Sequence, residues 1–424
     1  MELVNRRLEE VAVSRMAESP VVLLQGPRSV GKSTLLRILA ERYGGRVVDL
    51  DDPAVRSAVV DDPGLFVSGR GPVFIDEYQL VPVLLDSIKA ELNRDGSPGR
   101  FMLAGSTRFD SLPRASQSLT GRLHRLEILP LSQGELGGSE KNLVAALLDD
   151  PGATVTPDAS TTSRDRYAEL VARGGFPLAL ARTEAARARW FDDYLALCLE
   201  RDLMEEGRVR QPAALTPLLA RLASQTAQVL NMSSAGRAVG LAASTASDYV
   251  KLFEAAFLVR LLPSWGRTLR SATGSRPKLH MVDSGLAARL LRLPPDKLSA
   301  LDPAALQQFG HLLETFVVGE VLKQASWMEH RPHVGYWRTH NGAEVDIVVE
   351  DGRDGSVVGI EVKSGSRIHP KDRRGLRILR DALGDRFTAG VVLYTGPHSI
   401  RYKGADAGII ALPLDRLWTG VVPG

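Results

Sequence analysis

Two groups of residues in this chain have types and spacings that could do chemistry. The first is Gly26-Pro27-Arg28-Ser29-Val30-Gly31-Lys32-Ser33-Thr34, which fits the pattern G-x-x-x-x-G-K-[ST]. The apolar run Val21–Gln25 should be a strand entering the loop, and a helix should leave it. Glycines let successive backbone N–H groups turn toward phosphate oxygens, and the helix N-terminus adds partial positive charge. In that arrangement Gly26 to Thr34 hold ATP, Lys32 reaches the outer phosphates and the Ser33 hydroxyl sits on Mg²⁺. Downstream, Pro72-Val-Phe-Ile-Asp76-Glu77 reads as an apolar strand ending in two carboxylates. Asp76 is expected to hold Mg²⁺ through water, and Glu77 to polarise an attacking water, the mark of hydrolysis rather than binding alone. Ser106, after the strand Arg100–Ala104, either senses the γ-phosphate or caps the next turn. Arg122, in Ser118-Leu-Thr-Gly121-Arg122, is the candidate arginine finger, with Arg108 as second choice; the alternative is a surface arginine beside a helix-capping glycine.

The second group lies near the C-terminus. In Glu344-Val-Asp346-Ile-Val348-Val the even positions share one strand face. In Val357-Val-Gly-Ile-Glu361-Val-Lys363 the odd positions do. The intervening Asp351-Gly-Arg-Asp-Gly-Ser356 is a turn. Symmetric pairing about its centre sets Asp346 opposite Glu361, with Cβ atoms roughly 4.5–5.5 Å apart. Such a pair is expected to hold Mg²⁺ or Mn²⁺, with Lys363 on the same face to orient water or stabilise a transition state. On the helix Leu312–Glu320, Glu314 falls in an apolar stripe and so needs a partner. It is preferred to Glu320 as the third acid. Asp-x(n)-Glu-x-Lys is a nuclease pattern that also arises by chance, so a salt-bridged scaffold stands beside the nuclease reading.

These groups must be held by three modules. Strands at Val21–Gln25, Arg46–Leu50, Val73–Asp76, Arg100–Ala104 and Leu123–Leu129, alternating with helices at Lys32–Arg42 and Pro82–Asn93, predict a parallel α/β sheet behind a helix over residues 1–18. Residues 137–164 read as a turn-rich linker with a helical turn at Leu143–Leu148. Residues 165–262 read as helical throughout. Within them, Val229–Phe253 reads as helix, glycine turn and second helix. Ser244 should cap that second helix, and Ser247, Tyr249 and Lys251 should be exposed on it, the plan of a winged-helix DNA reader. The C-terminal part returns to α/β. The boundaries expected are 1–136, 137–164, 165–300 and 301–424. Arg260, Arg267, Arg270, Arg276 and the stretch Lys371–Arg377 are candidate phosphate contacts. With 424 residues, 44% apolar and 24% charged, the chain is ordinary globular protein. A net charge of +3 allows a local nucleic-acid patch but no basic whole-protein field. The lone Cys198, among apolar neighbours, is expected in a core. With no apolar leader or 18-residue apolar run, a cytoplasmic location is expected.

Taken in order, the P-loop, Val-Phe-Ile-Asp-Glu, Ala-Gly-Ser-Thr, Leu-Thr-Gly-Arg and Leu-Pro-Leu-Ser resemble a prokaryotic AAA-type P-loop ATPase family. Its members end in a domain of unknown function related to restriction-endonuclease-like folds. Gly174-Gly-Phe-Pro177 and Lys278-Leu-His-Met-Val-Asp283-Ser-Gly-Leu286 look like its middle motifs. Leu313-Glu-Thr-Phe-Val317, Gly342-Ala-Glu-Val-Asp346 and Glu361-Val-Lys363 look like its C-terminal ones. The resemblance implies an AAA-type sheet domain, a helical or winged-helix-like middle and a nuclease-like C-terminal domain. The function expected is ATP hydrolysis on or bound to DNA, with a possible metal-dependent nuclease and a possible homo-oligomer. The alternative is a nucleotide-switched interaction protein whose nuclease-like domain is silent.

Overall fold

The structure, a computed structural model, describes residues 3–69, 71–108, 119–199, 209–266 and 276–419. Arg267 and Arg270 lie outside the described residues. The first unit is a five-stranded sheet of β1 (Val21–Gln25), β2 (Arg46–Asp49), β3 (Val73–Asp76), β4 (Phe101–Gly105) and β5 (Leu123–Glu127), in the order β2-β3-β4-β1-β5. Every pairing in it is parallel. The pleat of β1 divides its apolar residues between two cores. Val22 and Leu24 pack with Leu35 and Leu36, and Val21 and Leu23 with Ile88 on the opposite face. Both helices bracketing the expected range are present, at Lys32–Tyr43 and Leu84–Leu92. The N-terminal helix begins only at Leu8. Two further helices, Pro53–Asp61 and Pro63–Val67, are each started by an aspartate accepting backbone N–H bonds ahead of a proline.

The turn-rich segment after residue 137 is not a free connection. Its helix, Leu143–Asp149, is stitched to the C-terminal unit: Gln324 accepts from Val144 N at 3.1 Å, and the Asn142 amide donates to Gln324 O at 2.9 Å. Farther on, the Ser160 and Thr162 hydroxyls both donate to Asp415.

The middle unit is not helical throughout. After the helix Leu215–Ala223 come β6 (Gln228–Val229), the helices Met232–Arg237 and Ala243–Ala255, β7 (Val259–Leu262) and β8 (Lys278–Met281), giving a small antiparallel sheet in the order β6-β8-β7. Ser244 does not cap the second helix, which starts from Ala242 with no side-chain cap. Tyr249 is buried rather than exposed, its hydroxyl accepting from Gln211 N at 2.8 Å. An aromatic side chain at that helical phase is drawn into the core by the area it removes from water. Cys198 is buried.

The C-terminal unit joins the helix Pro303–Ser326 to a six-stranded sheet of β9 (His333–Arg338), β10 (Glu344–Glu350), β11 (Val357–Lys363), β12 (Phe387–Tyr394), β13 (Ile400–Arg401) and β14 (Ile409–Pro413). The order is β13-β14-β12-β11-β10-β9. Strands β9, β10 and β11 are antiparallel, and β11, β12 and β14 run parallel. The middle unit runs straight onto this sheet: Trp265 N donates to Tyr336 O at 2.6 Å and Tyr336 N to Pro263 O at 3.0 Å. Gly335 is the glycine that allows it, since a Cβ there would stand 2.8 Å from Pro263 O. No helix among the described residues is long and apolar enough to cross a membrane.

Candidate functional site

The loop between β1 and the helix Lys32–Tyr43 sits at the C-terminal end of the parallel strands, where a helix N-terminus points into the site. Gly31, at φ +95°, takes a backbone conformation that side chains disfavour. Lys32 is buried, and its Nζ donates to Gly26 O at 3.0 Å and Pro27 O at 2.7 Å, so the ammonium is folded over the loop that would cradle phosphates. The Ser33 side chain hydrogen-bonds Asp76, whose carboxyl burial raises while that bond opposes the rise. A hydroxyl and a carboxylate side by side, both hard oxygen donors, fit Mg²⁺.

Glu77, next along, is held in the left-handed region at φ +51°. Its Oε2 accepts from the Ser106 hydroxyl at 3.2 Å and from the Gln79 amide, and Gln79 also donates to Ser106 Oγ at 3.2 Å. Ser106 therefore stands against the carboxylate expected to direct water. Gln79 escaped the sequence reading. It lies two residues past Glu77, and only the turn Tyr78–Leu80 brings it back.

A cavity of about 150 Å³ opens beside the loop, walled by Val4, Val30, Thr34, Leu35, Ile38, Leu131 and Pro177. Its apolar lining suits a flat base, and it draws together the N-terminal segment, the helix after the loop and the Gly-Gly-Phe-Pro turn. Arg6 braces it, donating to Leu129 O at 2.6 Å. Pairing of β5 with β1 places Arg122 at the far end of the sheet, one residue before the Leu123–Val21 pair, whereas the loop follows the Gln25–Glu127 pair. Five residues of strand separate them, roughly 16 Å, and Arg122 donates to Asn93 Oδ1 at 2.8 Å. At that distance Arg122 does not reach the nucleotide of its own chain, and the two readings left are a finger acting on a neighbouring copy and a structural arginine on Asn93; the first of them has a kinetic signature. Hydrolysis per subunit should then rise with protein concentration, and mixed Arg122→Ala and Glu77→Gln proteins should recover part of the activity. Flat specific activity without complementation would make Arg122 structural. Arg108 pairs with Glu254 at 3.7 Å and lies over the Phe257 ring, tying the sheet to the middle unit.

In the C-terminal sheet the hairpin register is the symmetric one, Ile347 opposite Ile360 and Val348 opposite Gly359, and its continuation sets Asp346 opposite Glu361. Their oxygens are nonetheless mostly engaged. Asp346 Oδ2 accepts from Val362 N at 2.9 Å, and Glu361 Oε1 from Lys363 Nζ at 2.7 Å. Lys278, from β8, comes within 2.8 Å of Glu314, 2.5 Å of Glu344 and 3.2 Å of Asp346. Burial and then Asp346 push Glu361 up to about 8 and raise Glu314 well above the usual carboxylate range. Burial works against Asp346 ionisation, yet Lys278 and Lys363 outweigh it and hold Asp346 low. His280, buried near the same ammonium, is pushed down to about 3 and stays neutral. Among the described residues no group of three or more His, Cys, Asp or Glu side chains is arranged to hold a metal ion. The expected metal position between Asp346 and Glu361 does not fit a divalent cation as the chain stands, because Lys278 and Val362 N occupy Asp346 and Lys363 occupies one oxygen of Glu361. Lys278 and Glu344 were missed as members of this group. Glu344 shares the even-numbered face with Asp346, a signal present in the pattern, whereas nothing local marks Lys278. Glu320 is placed elsewhere, fully buried, accepting from Gln133 N at 3.0 Å and Lys323 Nζ at 2.8 Å.

The residues of the first site fall within a match to a known family. Residues 18–137 match the family described as AAA domain, 164–297 the Domain of unknown function (DUF8612), and 309–417 the Domain of unknown function (DUF4143). The chain thus carries an AAA-type P-loop ATPase domain, a class that implies a nucleotide and usually Mg²⁺. It belongs to the same family as the "Uncharacterized protein Rv2008c" of Mycobacterium tuberculosis and the "Uncharacterized protein Mb2031c" of Mycobacterium bovis. Each is 31% identical to it over 422 residues, 98% of this chain and 85% of the relative. Among solved structures it is similar to the Walker-type ATPase paby2304 of Pyrococcus abyssi, at 14% identity and TM-score 0.42, over 68% of this chain and 96% of that one.

Proposed function

We propose that the protein binds ATP with Mg²⁺ at the first site and hydrolyses it, and that turnover drives a DNA-contacting middle unit and a C-terminal unit that does not cut. The observation that carries the first part is the convergence of Lys32, the Ser33–Asp76 pair and the Ser106- and Gln79-held Glu77 at the C-terminal ends of β1, β3 and β4. Lys32 binds the outer phosphates, Glu77 takes the proton of the attacking water, and the apolar cavity seats the base. Mg²⁺ neutralises developing charge on the phosphates when bound.

Support for DNA contact comes from the middle unit, whose order of helix, strand, two helices and two strands is that of a winged helix. The start of its Ala243–Ala255 helix, Ala243 and Ser244, is exposed. Some expected phosphate contacts are spent inside the protein, Arg260 on Glu127 and Arg373 on Asp406, with half-buried Arg377 also against Asp406, whereas Lys251 is exposed and pairs with exposed Asp248 one helical turn away. Exposed Arg237, Lys371 and Arg374 remain the better candidates. For the C-terminal unit, the Asp346, Glu361 and Lys363 face with Glu314 above it has the layout of a restriction-endonuclease-like centre. The engaged carboxylates favour the silent version over metal-dependent cleavage.

A steady-state ATPase assay with and without linear duplex tests this. Mg²⁺-dependent turnover that DNA stimulates is expected, together with binding that weakens by about 0.9 log units per log unit of salt for each phosphate neutralised. Absence of hydrolysis would overturn the ATPase reading. Hydrolysis indifferent to DNA, with no DNA bound at low salt, would turn the middle unit toward a protein partner. Metal-dependent cutting by the intact protein would overturn the silent reading.

A further inference from the structure

The carboxylates of the C-terminal sheet already have a cation, and a different part of the chain supplies it. Lys278 is 2% exposed, and its Nζ stands within 3.2 Å of Glu314, Glu344 and Asp346 and 5.6 Å from the Tyr336 ring centroid. It is delivered by paired strand, opposite Leu262 on one side and Val229 on the other, and the Tyr336 hydroxyl donates to Arg276 O two residues upstream. The ammonium is therefore a fixed part of the centre, not a surface side chain that happens to reach it. Four carboxylates, Glu314, Glu344, Asp346 and Glu361, face the two ammonium groups of Lys278 and Lys363, with Arg338 3.7 Å from Glu344 at the rim. One buried oxygen, Glu361 Oε2, has no hydrogen-bond partner among the described residues. A divalent ion bridging Glu314 and Asp346 would have to stand where the ammonium stands, and like charges that close repel strongly in a buried site.

We infer that Lys278 is a built-in counter-ion that keeps divalent metal out of this centre, and that removing its charge opens a site for one Mn²⁺ or Mg²⁺ held by Glu314, Asp346 and Glu361. The inference rests on the reading of the C-terminal unit as non-cutting and names the residue that makes it so. Metal ligands must be unprotonated and free of competing donors. Loss of the ammonium releases one oxygen each on Glu314 and Asp346 beside the unpartnered oxygen of Glu361.

The test uses the full chain, with Asp76→Asn in every sample so that the P-loop takes no Mn²⁺. Free Mn²⁺ is followed by electron paramagnetic resonance during titration, and melting is recorded with and without the ion. The parent is expected to bind no Mn²⁺ at millimolar concentration and to melt unchanged. Lys278→Met and Lys278→Gln should each bind one Mn²⁺ and melt higher in its presence, and adding Asp346→Asn should abolish both responses. Asp346-dependent Mn²⁺ binding by the parent would overturn the inference, and cleavage of duplex DNA accompanying that binding would overturn the non-cutting reading as well. Folded Lys278 variants that take no Mn²⁺ would overturn the inference alone and leave the unit silent for want of any metal site. Variants that fail to fold even with Mn²⁺ present would overturn it too, because an entering dication should restore the lost charge.

Discussion

Glu77→Gln protein should bind ATP as the wild type does and turn it over at least about 10²-fold more slowly, the scale of general-base catalysis. The substitution keeps the shape of a side chain that Ser106 and Gln79 already clasp, and removes only its capacity to accept a proton. Lys32→Ala should behave differently and lose binding itself. Its Nζ, folded onto Gly26 O and Pro27 O, lies at the mouth of the loop where the outer phosphates arrive. Equilibrium binding of a fluorescent ATP analogue and single-turnover hydrolysis separate the two. Wild-type turnover by Glu77→Gln would remove Glu77 from the mechanism, and unchanged affinity in Lys32→Ala would remove the phosphate role of Lys32.

The second large effect is on stability. Glu320 and Lys323 form an ion pair on the helix Pro303–Ser326, and both reach across to the segment after β5, Glu320 to Gln133 N and Lys323 to Leu131 O at 3.1 Å. Burial alone would drive the Glu320 carboxyl to protonate, and the Lys323 ammonium opposes it. Glu320→Ala would strand that ammonium in the interior and leave Gln133 N without its acceptor. A loss of about 3–5 kcal/mol is expected, the scale for breaking a buried pair from one side. Replacing both residues by leucine and methionine should cost much less, because no charge is then left unpaired. Thermal melting of the two proteins checks the difference. A Glu320→Ala protein as stable as the double replacement would mean that water reaches the pair.

How much of this was legible in the sequence depends on how local the cause is. The phosphate loop and its strand are fixed within about ten residues by glycine conformations and an apolar run. The β10–β11 register was legible because alternation on both strands sets the faces and the short turn at residues 351–356 sets the pairing about its centre. The helices at Pro53–Asp61 and Pro63–Val67 carried a readable signal, Asp-Pro twice, but little apolar periodicity beside it. Short strands such as β7 read as helix because four residues, two buried and two half-buried, are too few to show a period of their own. The reach of Lys278 to Asp346 spans 68 positions of sequence, and nothing near either residue announces it. The far-end position of Arg122 follows from parallel pairing alone, once β5 is known to lie beside β1.

The stitched segment between residues 142 and 162 has a consequence for taking this protein apart. The C-terminal fold is not one stretch of chain: it borrows the helix Leu143–Asp149 and the Ser160 and Thr162 hydroxyls from a region that precedes the middle unit. Cutting at residue 300 strips those pieces from Gln324 and Asp415 and bares the apolar surface that Leu143, Val144 and Leu147 cover. A separable version needs the early segment supplied, covalently or as a peptide. The ATPase sheet and the C-terminal sheet are joined by a chain that has already touched the second before it builds the middle, so the three units are interleaved along the sequence rather than strung in a line.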